Sequence, residues 1–142
     1  NRSAASAAEG ALQLQGKRAL FAEDNALNRE IALVMFEELG MDVTAVENGQ
    51  RTVETFEASA RGEYDFVLLD IMMPVKDGLD AARAIRALPR EDAAAVPIIA
   101  LSANAFQDDV ERSLAAGMNA HLTKPIDPHK LRDALTGITA EM

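Results

Sequence analysis

The sequence predicts one α/β domain with a five-stranded parallel sheet, covered on both faces by five helices. Short apolar runs alternate with segments of helical periodicity from Lys17 to the end of the chain, which indicates five successive β/α units. The run Phe66–Leu69 is continuously apolar, as expected for a strand buried on both faces. With 142 residues, 49% of them hydrophobic, the chain is long enough for one substantial core.

Two strand–helix pairs are predicted in the first half of the chain. The apolar run Arg18–Ala22 predicts a strand, and Leu27–Leu39 has apolar residues at helical spacing that stop at a glycine. Asp42–Val46 alternates as a second strand, which an Asn-Gly pair ends. Gln50–Ala60 is the second predicted helix.

Three pairs follow in the second half. A proline and an Asp-Gly pair mark the loop between the strand Phe66–Leu69 and a helix over Leu79–Leu88, and Pro89–Ala95 is predicted to be a surface connection. The remaining predicted strands are Ile98–Leu101 and Asn119–Thr123, and the remaining predicted helices are Ala105–Ala116 and Pro128–Leu135.

Composition excludes several classes of function. There are 23 acidic residues against 14 Lys and Arg, a net charge of −9, so we expect no direct binding of nucleic acid. No apolar run approaches the ~20 residues of a membrane span, so we expect no direct membrane insertion. The absence of cysteine excludes disulfides, zinc thiolates and thiol catalysis.

The beginning of the chain differs in composition from the rest. Asn1–Gln15 is rich in Ala, Ser and Gln and has no signal-peptide pattern. We expect residues 1–15 to be a linker or an expression remnant and residues 16–142 to form the domain. The sequence is therefore interpreted as a piece of a larger protein.

Four predicted strands end in polar residues suited to phosphoryl chemistry. These are the pair Glu23 and Asp24, then Asp70, Ser102 and Lys124. In an open parallel sheet the carboxyl ends of the strands lie along one edge, where ligands bind. Two strand orders are common in such sheets, and the chain pattern alone does not choose between them. In the order 2-1-3-4-5, strands 1 and 3 are neighbours and Asp24 lies beside Asp70.

Carboxylates that converge repel one another, and a bound cation relieves the repulsion. Oxygen ligands favour a hard cation, magnesium or manganese, which is held by few protein carboxylates. We expect Asp24 and Asp70 to be direct ligands, Glu23 to assist directly or through water, and the backbone carbonyl of Met72 to be a further ligand.

Asp70 is the predicted nucleophile, because it follows the most buried strand and its turn has no other nucleophilic side chain. Lys124 would neutralise phosphoryl oxygens, and Ser102 would donate a hydrogen bond to one of them. Taken singly, each residue has another interpretation. Asp24 and Ser102 could be helix caps, and Lys124 could be a solvated loop cation.

Five segments together resemble the motifs of two-component receiver domains. They are Phe21-Ala22-Glu23-Asp24-Asn25, Leu68-Leu69-Asp70-Ile71-Met72-Met73-Pro74, Asp77-Gly78, Ala100-Leu101-Ser102-Ala103 and Leu122-Thr123-Lys124-Pro125. The resemblance extends from about Lys17 to about Ile138. It implies a flavodoxin-like receiver fold with strand order 2-1-3-4-5.

The resemblance also assigns roles. It implies that Asp70 is the phosphoacceptor, Glu23 and Asp24 the acidic metal pair, Ser102 the switch hydroxyl and Lys124 the phosphate contact. It further implies a cis peptide between Lys124 and Pro125. Met72 and Asn104 flank the expected path of water attack and are predicted to modulate the lifetime of the phosphoaspartate.

The finer pattern is similar to the receivers of hybrid histidine kinases. The segments concerned are Asp24–Glu30, Asn104 and Ala115–Asn119. One departure is His121, where receivers usually have Tyr or Phe as part of the conformational switch. Imidazole is smaller and takes up a proton near neutral pH, so we expect weaker or pH-dependent output coupling. The alternative is a half-exposed ring without a signalling role.

Helix Leu27–Leu39 carries more apolar residues than its core contact needs. Ile31 belongs to the arc expected in the core, whereas Leu27 and Val34 lie at its edge. We expect Leu27 and Val34, with Pro125, to dock a helical phosphodonor that carries a phosphohistidine. The alternative is that Leu27 and Val34 only widen the core contact.

The sequence thus predicts a magnesium-dependent phosphoacceptor that receives a phosphoryl group from a histidine kinase or a histidine phosphotransfer domain. A cytoplasmic location follows from the need for nucleotide-derived phosphate, and the parent protein could be bound to a membrane. The alternative is a receiver-like interaction or dimerisation module that is never phosphorylated. A phosphohydrolase is disfavoured, because Ile71 and Met72 stand where a second acid would be needed.

Overall fold

In a computed structural model, residues 14–73, 75–102, 107–124 and 126–141 are described, without the side chains of residues 107–109 and 138–141. The described strands form one parallel sheet of five strands with the order β2-β1-β3-β4-β5, as predicted. The strands are β1 Arg18–Ala22, β2 Asp42–Val46, β3 Phe66–Asp70, β4 Ile98–Ser102 and β5 Ala120–Thr123.

Six helices connect and cover these strands in the described part of the chain. They are α1 Ala26–Glu38, α2 Gly49–Ala58, α3 Gly78–Arg86, α4 Glu91–Ala95, α5 Gln107–Ala115 and α6 Pro128–Glu141. Polar side chains cap the amino ends of α1, α2 and α3. Asn25, Asn48 and Asp77 each accept a hydrogen bond from the backbone N–H of the residue three positions later. Within the described ranges, no helix is long and apolar enough to cross a membrane.

Alternating residues of the buried strands face two apolar layers. Leu20, Val67 and Leu69 pack in the layer that includes α2, α3 and α4. Phe21 and Leu68 pack in the opposite layer with α1 and α6. This period of two is what a parallel sheet with both faces covered requires. Because β1, β3 and β4 are parallel neighbours, their carboxyl ends lie along one edge of the sheet.

The short helix α4 corrects the prediction of five helices and of a surface connection over Pro89–Ala95. Ala93 is fully buried and Val96 is nearly so, which gives the segment an inner face. Asp92, in the first turn of α4, makes an ion pair with the Arg90 guanidinium. Arg90 Nη2 lies 2.7 Å from Asp92 Oδ2. A helix of five residues is too short to show a helical period in the sequence.

The packed core begins before the predicted start of the domain. Leu14 lies within the segment predicted to be a linker, yet it is fully buried against the layer that contains Phe21 and Phe36. The backbone N–H of Gly16 also donates to the Gly40 carbonyl, 2.8 Å away. Residues 1–13 of the predicted linker are outside the described residues.

Candidate functional site

Three carboxylates converge at the carboxyl edge of the sheet. The register pairs Ala22 of β1 with Leu69 of β3, so the residues that follow them are neighbours. Oxygen atoms of Glu23, Asp24 and Asp70 lie within 4.8 Å of one another. Glu23 and Asp70 are 2% and 3% exposed, whereas Asp24 is exposed to solvent. The predicted juxtaposition of these acids is present.

The ammonium group of Lys124 joins the two buried carboxylates. Lys124 Nζ lies 2.7 Å from Glu23 Oε1 and 2.6 Å from Asp70 Oδ2. The backbone N–H of Lys124 donates to the Ser102 carbonyl, 2.7 Å away, which ties the residue to the end of β4. Lys124 is therefore not a solvated loop cation.

Burial alone would lower the pKa of Lys124, but hydrogen bonds and negative charges from Asp70 and Glu23 outweigh burial and raise it. The lysine thus stays charged over the physiological pH range. One positive charge shared by two buried carboxylates leaves the pocket with an excess of negative charge. This excess of negative charge favours the binding of a cation in the pocket.

The exposed member of the acidic set shows the cost of this crowding. Partial desolvation raises the pKa of Asp24, and a hydrogen bond and the negative charge of Glu23 raise it further. Three oxygen donors on three side chains, with more negative charge than Lys124 neutralises, fit a hard divalent cation. The residues present therefore fit the predicted metal.

Backbone N–H groups and carbonyls orient the two buried acids, Glu23 and Asp70. The Glu23 N–H donates to the Val46 carbonyl of β2 at 3.1 Å, and the Asn25 N–H donates to Glu23 Oε2 at 3.2 Å. The Met72 N–H donates to Asp70 Oδ1 at 3.1 Å. These donors fix the carboxylates without adding a second buried charge.

The backbone at Asp70 lies in close contact with the start of α3. A Cβ atom at Gly78 would lie 2.5 Å from the Asp70 carbonyl oxygen, so only glycine allows α3 to begin there. Between them, Val75 has a φ angle of 69°, which is costly for a β-branched residue. The sequence signalled the glycine through the Asp-Gly pair, but it gave no sign of the strain at Val75.

The other predicted site residues lie around this pocket. Ser102 is 6% exposed at the end of β4, next to the strand that carries Asp70. The Met72 side chain is 76% exposed, and the role of its carbonyl as a ligand stays a prediction. Asn104, Pro125 and the peptide between Lys124 and Pro125 are outside the described residues.

His121 lies on β5 and is half-buried. It is not among the residues of the acidic pocket. Its Nδ1 atom is 3.4 Å from Ser113 Oγ of α5. The ring lines a cavity of about 320 Å³ together with Val110, Leu114 and Thr123. The ring therefore faces α5, and its role in switching stays a prediction.

The outer face of α1 is more apolar than the helical arc suggested. Leu27 and Val34 are 64% and 55% exposed, and Ile31, expected in the core, is 49% exposed. The prediction that Ile31 lies in the core is wrong, because the side of α1 that carries Ile31 borders an open groove of about 410 Å³. Ile31, Met35 and Ile126 line this groove, which reaches Glu23 and Lys124 at the acidic pocket.

One contact at the site was missed by the sequence analysis. Arg29 Nη1 lies 2.7 Å from the backbone carbonyl oxygen of Glu23. The signal was its position four residues after the helix cap Asn25, one turn into α1 and above the turn that carries the acids.

Both the sequence and the fold of this chain are similar to those of known proteins. Residues 19–136 match the family described as response regulator receiver domain. The receiver domain of the sensor histidine kinase PA1611 from Pseudomonas aeruginosa is 42% identical over 88% of this chain and 98% of that chain, with a TM-score of 0.78. That structure has a magnesium ion coordinated in the active site cleft.

Curated relatives are much longer proteins. The peroxide stress-activated histidine kinase mak2 of Schizosaccharomyces pombe is 38% identical over 86% of this chain, which spans 5% of its length. Hybrid signal transduction histidine kinase I of Dictyostelium discoideum is 33% identical over 87% of this chain, which spans 7% of its length. The chain therefore matches one small part of such kinases.

The raised pKa of Asp24 leads to a prediction for Asp24→Asn. A carboxyl whose folded-state pKa is raised favours folding at low pH, and this contribution is lost as pH rises through that pKa. At pH 7 and without metal, Asp24→Asn should therefore be more stable than wild type, and the difference should shrink below about pH 4. The measurement is the free energy of unfolding of both proteins at several pH values, from urea titrations monitored by circular dichroism.

Magnesium should reverse this order. At 100 times its dissociation constant, magnesium should stabilise the wild type by about 2.7 kcal/mol, and it should do little for Asp24→Asn. Asp42→Asn is the control, because Asp42 is exposed at the start of β2, at the opposite edge of the sheet. An equal magnesium response in both aspartate variants would contradict the assignment of Asp24 to the metal site.

Proposed function

The chain belongs to the response regulator receiver domain family, and we propose that it accepts a phosphoryl group from a phosphohistidine on the carboxylate of Asp70. The observation that carries this proposal is the environment of Asp70. Its buried carboxylate accepts a hydrogen bond from the Lys124 ammonium and lies among the carboxylates of Glu23 and Asp24. Magnesium is the proposed cation, and manganese has the same ligand preference.

The proposed reaction is a transfer between two nucleophiles. An Asp70 oxygen forms a bond to phosphorus as the bond from phosphorus to the histidine nitrogen breaks, and that nitrogen keeps the electron pair. Lys124 is within reach of the developing charge, because its Nζ already lies 2.6 Å from Asp70 Oδ2. Ser102 is proposed to donate a hydrogen bond to a phosphoryl oxygen. Bound magnesium would supply further neutralisation of charge on the phosphoryl oxygens.

Glu23 and Asp24 support this reaction without forming the bond. Glu23 already shares the Lys124 ammonium, and Asp24 is the exposed acid at the mouth of the pocket. Both are therefore proposed to hold the cation. Water attack on the phosphoaspartate returns the carboxylate and inorganic phosphate, and Met72 and Asn104 are proposed to modulate the rate of this step.

We propose a hybrid histidine kinase as the parent protein. The support is the identity of 33% and 38% to two such long kinases, of which the chain spans 7% and 5%. The donor would be the phosphohistidine of a kinase or of a histidine phosphotransfer domain. A cytoplasmic location is part of this proposal, since the phosphate originates from a nucleotide.

The groove beside α1 is the proposed docking site for this donor. Leu27, Ile31 and Val34 give α1 an exposed apolar surface, and the groove between α1 and Ile126 leads to Lys124. The receiver domain of Ssk1 from Saccharomyces cerevisiae, in complex with the histidine phosphotransfer protein Ypd1, is 29% identical with a TM-score of 0.77. A helix of the donor fits such a surface and would bring its histidine to Asp70.

Phosphorylation of Asp70 can be tested by intact mass. After incubation with acetyl phosphate and magnesium, the wild type should gain the mass of one phosphoryl group, and a separate titration with magnesium and beryllofluoride, a dissociable mimic, should show one bound equivalent. Asp70→Asn should carry none, and removal of magnesium should abolish the adduct. Asp77→Asn is the matched control, because asparagine also caps helices and Asp77 caps α3. No adduct with either reagent would favour the unphosphorylated interaction module.

Docking can be tested separately from chemistry. Ile31→Asp places a charge in the groove, so transfer from a phosphorylated histidine phosphotransfer domain should fall by about tenfold or more, since disrupting a central interface residue costs about 2 kcal/mol and each ~1.4 kcal/mol is tenfold. Labelling by acetyl phosphate should not change. Leu114→Asp is the control, since Leu114 is 56% exposed on α5, away from the groove. Equal transfer rates for the two variants would argue against this docking site.

A further inference from the structure

Arg29 connects α1 to the backbone of the acidic pocket. Its Nη1 atom donates to the Glu23 carbonyl at 2.7 Å, and its own backbone N–H donates to the Asn25 carbonyl at 2.9 Å. The Glu23 N–H donates to Val46 of β2 at 3.1 Å. The residue before Asp24 is therefore held from both sides, by a strand through its N–H and by a helix through its carbonyl.

This contact holds the peptide group from which Asp24 extends. The Glu23 carbonyl, the Asp24 nitrogen and the Asp24 Cα atom lie in one peptide plane. A donor that fixes the carbonyl fixes that plane, and with it the point from which the Asp24 carboxylate extends. Glu23 is held additionally by an ion pair with Lys124, whereas no ion pair of Asp24 is found among the described residues.

We propose that Arg29 is a positioning residue for the metal-binding acids. Its guanidinium holds the Glu23–Asp24 peptide so that the Asp24 carboxylate stays within 4.8 Å of the other two. This inference rests on the proposed function, because it assigns Arg29 a part in cation binding at the same site. Arg29 itself does not touch the cation or the phosphoryl group.

A simple charge effect would act in the opposite direction. Arg29 is positively charged, so on Coulomb's law alone its removal would strengthen the binding of a cation nearby. Loss of positioning would weaken it, since removing groups that orient metal ligands typically lowers metal affinity by about 10- to 100-fold. The sign of the change therefore distinguishes the two effects.

Arg51 provides a matched control. Arg29 and Arg51 line the same cleft of about 450 Å³, beside Val46 and Glu47. Within the described part of the chain, the Arg51 guanidinium makes no hydrogen bond or ion pair, and its backbone N–H donates to the Asn48 side chain. Arg51→Met and Arg29→Met both remove one positive charge from this cleft and keep an unbranched side chain.

The experiment is calorimetric titration of the full chain with magnesium. Arg29→Met should bind magnesium about tenfold more weakly than wild type, whereas Arg51→Met should bind equally or more tightly. Urea unfolding without metal checks that each variant is folded. If Arg29→Met does not fold, Arg29→Lys takes its place, since lysine keeps the charge but lacks the planar fork, and weaker binding is again expected.

The outcomes separate this inference from the proposed function. If wild type binds magnesium and the Arg29 variant binds as tightly as Arg51→Met, the positioning role is wrong while the proposed function stands. If wild type does not bind magnesium at all, the proposed function fails and this inference fails with it. Weaker binding by the Arg29 variant alone supports the positioning role.

Discussion

The balance of charge around the Lys124 ammonium is the constraint on which the rest of the site depends. Two carboxylates buried at one sheet edge would be strongly unfavourable without a partner, and Lys124 lies within 2.7 Å of Glu23 and 2.6 Å of Asp70. The partner comes from the end of β5, about a hundred residues along the chain from Glu23. The strand order that sets β1 beside β3, with β4 and β5 following, is what makes this contact geometrically available.

That balance is incomplete, because one Lys124 ammonium faces three neighbouring carboxylates. Partial desolvation raises the pKa of Asp24, and the hydrogen bond and negative charge of Glu23 raise it further, so the folded protein is less stable when Asp24 is ionised. A cation would offset this effect, so the site is suited to binding a metal rather than to maximal stability of the metal-free chain. The strained backbone at Val75 and the glycine contact at Gly78 belong to the same loop. Conformational strain therefore occurs in the loop that follows Asp70.

Much of this arrangement could be predicted from the sequence, because strand patterns and polar strand ends are local signals. The bounds of β1 and β2 are confirmed, and the resemblance supplied the sheet order that periodicity left open. The short helix α4 was missed because five residues show no period. The exposure of Ile31 was missed because a helical arc shows which residues share a face, but not whether a neighbour covers it. The Arg29 contact depends on side-chain reach, which spacing does not reveal.

The most direct test of this account is the free energy of unfolding of Lys124→Met, measured with and without magnesium. Without metal, the variant should be less stable than wild type by about 3 kcal/mol, because two buried carboxylates lose their counter-charge. Magnesium should then stabilise the variant more than it stabilises wild type, since it replaces the missing positive charge. Lys130→Met, at an exposed position of α6, is the control. If Lys124→Met were as stable as wild type, with the same magnesium response, the Lys124 charge balance would not be what organises this site.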